Sequence, residues 1–93
     1  MQKDYKMSNI QCFTNDRFRA LSYLYDIRDD ENCAYITQQD VADGLGISRV
    51  TISGIFKQLK DEKYIEQNST NVGKYTLTTK AIAAIETFRS SDN

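Results

Sequence analysis

The chain of 93 residues has no histidine, no proline, two cysteines and four glycines. Without histidine there is no imidazole base and no His-containing zinc site. Cys12 and Cys33 are too few for a disulfide framework and lack metal-ligand spacing, so they read as reduced thiols. The absence of proline and the scarcity of glycine argue against disorder and against a long flexible linker. No apolar run approaches the roughly 20 residues that a bilayer requires. The N-terminus carries no apolar signal-peptide core, and a cytoplasmic protein is expected. There is no Gly-rich phosphate loop. Asp40 and Asp43 share a helical segment but should face solvent rather than meet in a cleft. An enzyme is not expected, and no cofactor, metal or redox sensor is indicated.

What is present is one domain's worth of chain, 40% of it hydrophobic. A chain of this size buries about 60 to 65% of its unfolded surface, so a partner subunit would add usefully to its stability. The formal charge is -1, but it is unevenly spread. Residues 1–44 hold five basic and eight acidic groups, residues 45–80 six basic and three acidic, and residues 81–93 one basic and two acidic. A net +3 segment between acidic flanks fits a molecule that offers one face to a polyanion. Overall acidity does not oppose this, because phosphate contacts are local.

Residues 1–13 form an arm or short helix, with Tyr5, Met7, Ile10 and Phe13 available for packing on the core or on a second subunit. A first helix follows Thr14-Asn15, either of which can cap it. Its stripe runs through Phe18, Leu21 and Leu24 or Tyr25, widened by Ala20 and Ile27, and the polar run Asp29-Asp30-Glu31-Asn32 should end it. Ala34-Tyr35-Ile36 reads as a short extended segment. Thr37 then caps a helix that buries Val41, Ala42 and Leu45, and Gly46 closes it in a left-handed conformation. Ser48 caps the next helix. Val50 is expected to pack near its start, and Ile52, Ile55, Phe56 and Leu59 follow the spacing of a buried face. Arg49, Ser53, Lys57 and Lys60 turn to the other side. Tyr64 to Gln67 and Lys74 to Thr78 read as a β-hairpin around a polar loop containing Asn71 and Gly73. Ile65, Tyr75 and Leu77 should point inward, and Tyr35, Tyr64 and Tyr75 should be partly core. A last helix from Thr79 to Ser90 presents Ala81, Ile82, Ile85 and Phe88, and residues 91–93 form a tail.

This order of elements, mainly α with a small β-hairpin, resembles a winged helix-turn-helix domain over residues 14–90. Its helix-turn-helix would span residues 38–60 and its wing residues 64–78. The run Gly46-Ile47-Ser48-Arg49-Val50-Thr51-Ile52-Ser53, continuing through Leu59 to Ile65, is similar to the recognition helix and first wing strand of MarR-like repressors. Tyr75-Thr76-Leu77-Thr78-Thr79-Lys80 resembles the end of their wing. Small plasmid or phage partition proteins of the TubR kind use the same fold at about this size. The chain departs from the pattern at three positions. Gly54 stands where such helices often carry arginine, and there it could permit close approach to a groove. Lys63 stands where a glycine commonly precedes the wing, and Ala81 where a glycine often follows it.

The resemblance implies sequence-specific double-stranded DNA binding as a homodimer, with transcriptional repression as its use. On that reading Ser48 and Thr51 donate to phosphates near a helix N-terminus, where free N–H groups favour anions. Arg49 contacts a base edge, with guanine preferred, and Ser53 reads or positions. Lys57 and Lys60 contact phosphate. Gln38 and Gln39 clamp the backbone, and Asn71 and Lys74 reach from the wing to the minor groove or its phosphates. Ile10, Phe13, Ile82, Ile85 and Phe88 are the candidate dimer residues, since two-fold symmetry suits a palindromic or repeated site. Two other uses of the fold remain open. One is a centromere-repeat adaptor with a filament-forming partner. The other is a protein-interaction module without DNA recognition.

Overall fold

A computed structural model describes residues 16–67 and 73–91. The expectations for residues 1–13, the Thr14-Asn15 cap and Asn71 lie outside those residues. Helix α1 covers residues 16–27, then β1 (Cys33–Tyr35), α2 (Gln38–Leu45), α3 (Arg49–Asp61), β2 (Ile65–Gln67), β3 (Lys74–Leu77) and α4 (Thr79–Ser91) follow.

Helix α1 ends where acidic residues would oppose its dipole, and the polar run becomes a turn rather than a loose loop. The Asp29 carboxylate accepts the Glu31 and Cys33 N–H groups at 2.8 and 3.0 Å. Asn32 takes a left-handed φ of 64°, and its side-chain oxygen accepts from Arg28 Nε at 3.1 Å. The turn delivers the chain into β1, which is more than an isolated extended segment. It pairs antiparallel with β3, placing Ala34 opposite Tyr75. The sheet order is β1-β3-β2, so the expected hairpin is completed by a third strand. Three residues are too few for an alternation signal, which is why the sequence does not announce the partner.

The core lies where the inward side of this sheet meets the helices. Ile65, Tyr75 and Leu77 are buried as expected, and Tyr75 meets Phe56 of α3 edge to face at 4.8 Å. Leu21 and Leu24 of α1, Val41 and Ala42 of α2, Ile52, Ile55 and Leu59 of α3, and Ala81 and Ile85 of α4 complete it. Leu45 and Ile47 are only partly buried, at the edge of this cluster. Val50 departs from expectation altogether: it is 83% exposed. It sits two residues from buried Ile52, roughly 200° around a helix of 3.6 residues per turn, and therefore faces away from the core.

Two helix ends fix the orientation of α3. At its start, Gly46 has φ 69°, and the Ile47 N–H bonds back to the Ala42 carbonyl at 3.0 Å. At its finish, the Tyr64 N–H reaches the Leu59 carbonyl at 2.9 Å and the Lys63 N–H reaches Lys60 at 3.1 Å. These paired bonds are the Schellman arrangement, whose pivot is usually glycine. Here the pivot is Lys63, with φ 67°. The sequence departure at Lys63 is thus one of residue type and not of backbone path. Thr78 closes the joint by donating to the Lys63 carbonyl at 2.7 Å and accepting from the Ala81 N–H at 3.3 Å, at the start of α4.

Helix α4 returns against α1. Tyr25 donates to Glu86 at 2.9 Å, Arg89 pairs with Asp26 at 2.9 Å, and the Phe18 and Phe88 rings lie 4.3 Å apart. None of the helices among the described residues is long and apolar enough to cross a membrane.

Candidate nucleic-acid interface

The α2–turn–α3 unit presents one polar surface built from three local devices. The Thr37 hydroxyl accepts the Asp40 N–H at 3.1 Å and starts α2. Gly46 supplies the turn. The Ser48 hydroxyl accepts the Thr51 N–H at 3.1 Å and starts α3. Ser48 Oγ also donates to Thr51 Oγ1 at 2.9 Å, so the Thr51 hydroxyl proton is left to serve an outside acceptor. An anion at this end of α3 would meet that hydroxyl and the first free N–H groups together.

Along the outward face, Arg49, Val50, Thr51, Ser53, Gly54 and Lys57 are all exposed. Arg49 makes no ion pair or hydrogen bond among the described residues, so none of its five donors is used by them. Lys57 lies 3.6 Å from Asp61 on the same helix, a solvent-exposed pair. Such pairs contribute little and yield readily to a stronger anion.

Other expected contacts are placed differently. Lys60 is half-buried, and its ammonium donates to Gln67 Oε1 of β2 at 3.2 Å. It braces the wing before it can reach a phosphate. Gln39 is exposed and donates to Asp43 at 2.9 Å. Gln38 is half-buried, with its Oε1 buried and without a hydrogen-bond partner. Lys74 is half-buried on β3, 5.7 Å from the Tyr35 ring. Tyr35, expected to be partly core, is instead 60% exposed beside it. In a strand of three residues, its neighbour Ala34 takes the inward position, and pleating turns Tyr35 outward.

Of the C-terminal apolar residues, Ile85 is fully buried in the domain's own core, Ile82 is half-buried, and Phe88 is half exposed against Phe18. Ile10 and Phe13 lie outside the described residues. Among the described residues no group of three or more His, Cys, Asp or Glu side chains could hold a metal ion.

Two residues of the exposed surface were not singled out by sequence as contacts, Val50 and Tyr35. Val50 was detectable from its angular distance to Ile52. Tyr35 was not, because its orientation follows from pairing with β3.

The geometry has known counterparts. The Crp-like helix-turn-helix domain matches residues 19–84. The fold is also similar to that of MepR, a transcription regulator of the Staphylococcus aureus multidrug efflux pump MepA. The TM-score is 0.67 at 28% identity, over 89% of this chain and 62% of that one. The S. aureus MepR–DNA complex matches with a TM-score of 0.66 at 26% identity, over 96% and 73%. MepR bound to ethidium bromide matches with 0.64 at 30% identity, over 82% and 54%. Against the first and third of these, the chain spans less than two thirds of the longer protein. No curated protein matches it.

Proposed function

The chain belongs to the Crp-like helix-turn-helix domain family, and we propose that it binds double-stranded DNA sequence-specifically as a homodimer and represses transcription in the cytoplasm. Helix α3 enters the major groove, where each base pair shows a distinct donor and acceptor pattern. Helix α2 braces across the backbone. Arg49 reads a base edge, with guanine preferred. Ser53 reads or positions beside it. Thr51, Lys57 and the N-terminus of α3 hold phosphates, with Ser48 setting the helix start. Gln38 and Gln39 steady the backbone, Lys74 approaches from the wing, and Lys60 supports the wing that carries it. Phe88 and Ile82 offer apolar surface for a second subunit.

One observation carries the reading: Arg49 is exposed, and makes no ion pair or hydrogen bond among the described residues, at the capped start of a helix whose two ends are locked by hydrogen bonds. An arginine serving only solubility would not require so rigid a mount. That MepR is a transcription regulator solved with DNA favours regulation over a partition adaptor.

The test is a titration of duplex DNA at two salt concentrations. If two subunits neutralise about 6 to 10 phosphates, affinity falls by roughly 10³ to 10⁵ between 50 and 200 mM salt. Absence of binding at the lower salt would refute the reading and favour a protein-interaction module.

A further inference from the structure

The four glycines of the chain are not equivalent. A Cβ on Gly44 would meet the Tyr23 ring at 2.8 Å. Gly46 and Gly73 have φ of 69° and 88°, where side chains are strained. Gly54 has no such reason among the described residues. It is helical and exposed, and a Cβ built there would find none of their atoms within 4 Å. Glycine in a helix interior is intrinsically unfavourable, so the fold would be better served by almost any other residue. One turn earlier on the same face stands Val50, a β-branched apolar residue 83% exposed on an otherwise polar surface. Neither position is explained by the packing of the described residues. Both are explained by a partner that approaches the helix backbone at Gly54 and carries a small apolar group to Val50.

We propose that Val50 and Gly54 form an apolar notch that reads the 5-methyl group of thymine. The proposal rests on the DNA-binding function above and names part of its specificity. In the major groove, thymine presents a methyl group beside its O4 acceptor, and that methyl distinguishes it from the other bases there. The notch is flanked by Arg49 and Lys57 and by the Thr51 and Ser53 hydroxyls, a ring suited to phosphates and polar base edges around one apolar contact. A large side chain at position 54 would hold the helix away from the groove floor, and the missing Cβ lets Val50 reach it. A thymine is therefore expected within one helical turn of the base read by Arg49.

The test uses the full chain and a duplex selected from genomic fragments. Each thymine is replaced in turn by deoxyuracil, which lacks only the methyl group. The wild-type protein should lose roughly four-fold in affinity at one or two positions, the effect of one methyl removed from water. Val50→Ala should bind the thymine and deoxyuracil duplexes alike. Gly54→Leu, which favours helix and whose Cβ meets no atom of the described residues within 4 Å, should stay folded and lose about ten-fold or more on the selected duplex. Equal wild-type affinity for every deoxyuracil duplex would overturn the notch while leaving DNA binding intact. Wild-type affinity in Gly54→Leu would overturn the close approach. Failure to select any duplex would overturn the notch and the function together.

Discussion

Lys60 at the end of α3 and Gln67 at the end of β2 are joined by a 3.2 Å hydrogen bond between ammonium and amide oxygen. Helix α3 and the wing beside it are thus coupled through a side chain that spacing alone assigns to phosphate. Among the described residues Lys57, one turn earlier, has only an exposed pairing with Asp61. The two lysines should therefore separate on mutation. Lys57→Ala should weaken every duplex alike and reduce the salt slope by about 1. Lys60→Ala should lower stability by about 0.5–1.5 kcal/mol, the net value of one such bond, with the smaller effect on the salt slope. Paired thermal melts and salt titrations measure both; identical behaviour of the two variants would remove the distinction.

Lys63 should be a site of easy stabilisation. It holds φ 67° at the pivot between α3 and β2, a conformation that disfavours an L side chain by roughly 1–2 kcal/mol. Lys63→Gly relieves that strain but gives the unfolded chain more freedom. The expected balance is a gain of about 0.5–1 kcal/mol in urea unfolding. Gly46→Ala, in the same region of backbone space with open surroundings, should lose about 1–2 kcal/mol. A loss in the first or a gain in the second would contradict the assigned backbone roles.

Asp29 gives the fold a defined acid sensitivity. Its carboxylate is held below the ordinary aspartate value of 3.8, chiefly by the Cys33 N–H, then by that of Glu31, with Lys74 assisting. A group whose folded pKa is depressed adds stability above its unfolded pKa, and that stability is lost as pH falls through the folded value. Asp29→Asn keeps an acceptor oxygen for the turn but cannot titrate. It should therefore flatten the acid limb of the stability profile, as read by denaturant midpoints below pH 5. An unchanged limb would show that the turn does not depend on the charge.

Phe88 tests the proposed subunit contact. It is half exposed and packs on Phe18, so an acidic replacement removes no fully buried side chain. Phe88→Asp should convert a dimer to a monomer in sedimentation and weaken binding to a symmetric site more than to a half-site. Ile85 is unsuitable for this purpose, since it is buried in the domain itself. A wild-type chain that sediments as a monomer at every concentration would refute the dimer.

Much of this architecture is readable from residue spacing because its helices are long enough to repeat. Ile52, Ile55, Phe56 and Leu59 define a face that the structure buries, and Thr37, Gly46 and Ser48 announce the helix ends by their own chemistry. What escaped depends on contacts between distant segments. The extended segment at Ala34-Tyr35-Ile36 is legible, but its pairing with β3 as a sheet strand is not. The outward turn of Tyr35 follows from that pairing, and the Lys60–Gln67 bond exists because β2 folds back along α3. Val50 is a different case. Its angular position was available, but its apolar character suggested packing.

The central claim is that the outward face of α3 recognises a DNA sequence, and selection from genomic fragments tests it most directly. Wild type and Arg49→Ala are each incubated with sheared DNA near physiological salt, and the retained fragments are sequenced. The account predicts that wild type enriches a discrete symmetric site and that Arg49→Ala binds with relaxed preference at one base of it. A folded wild-type protein that enriches no sequence, or an Arg49→Ala variant with the same preference as wild type, would contradict it.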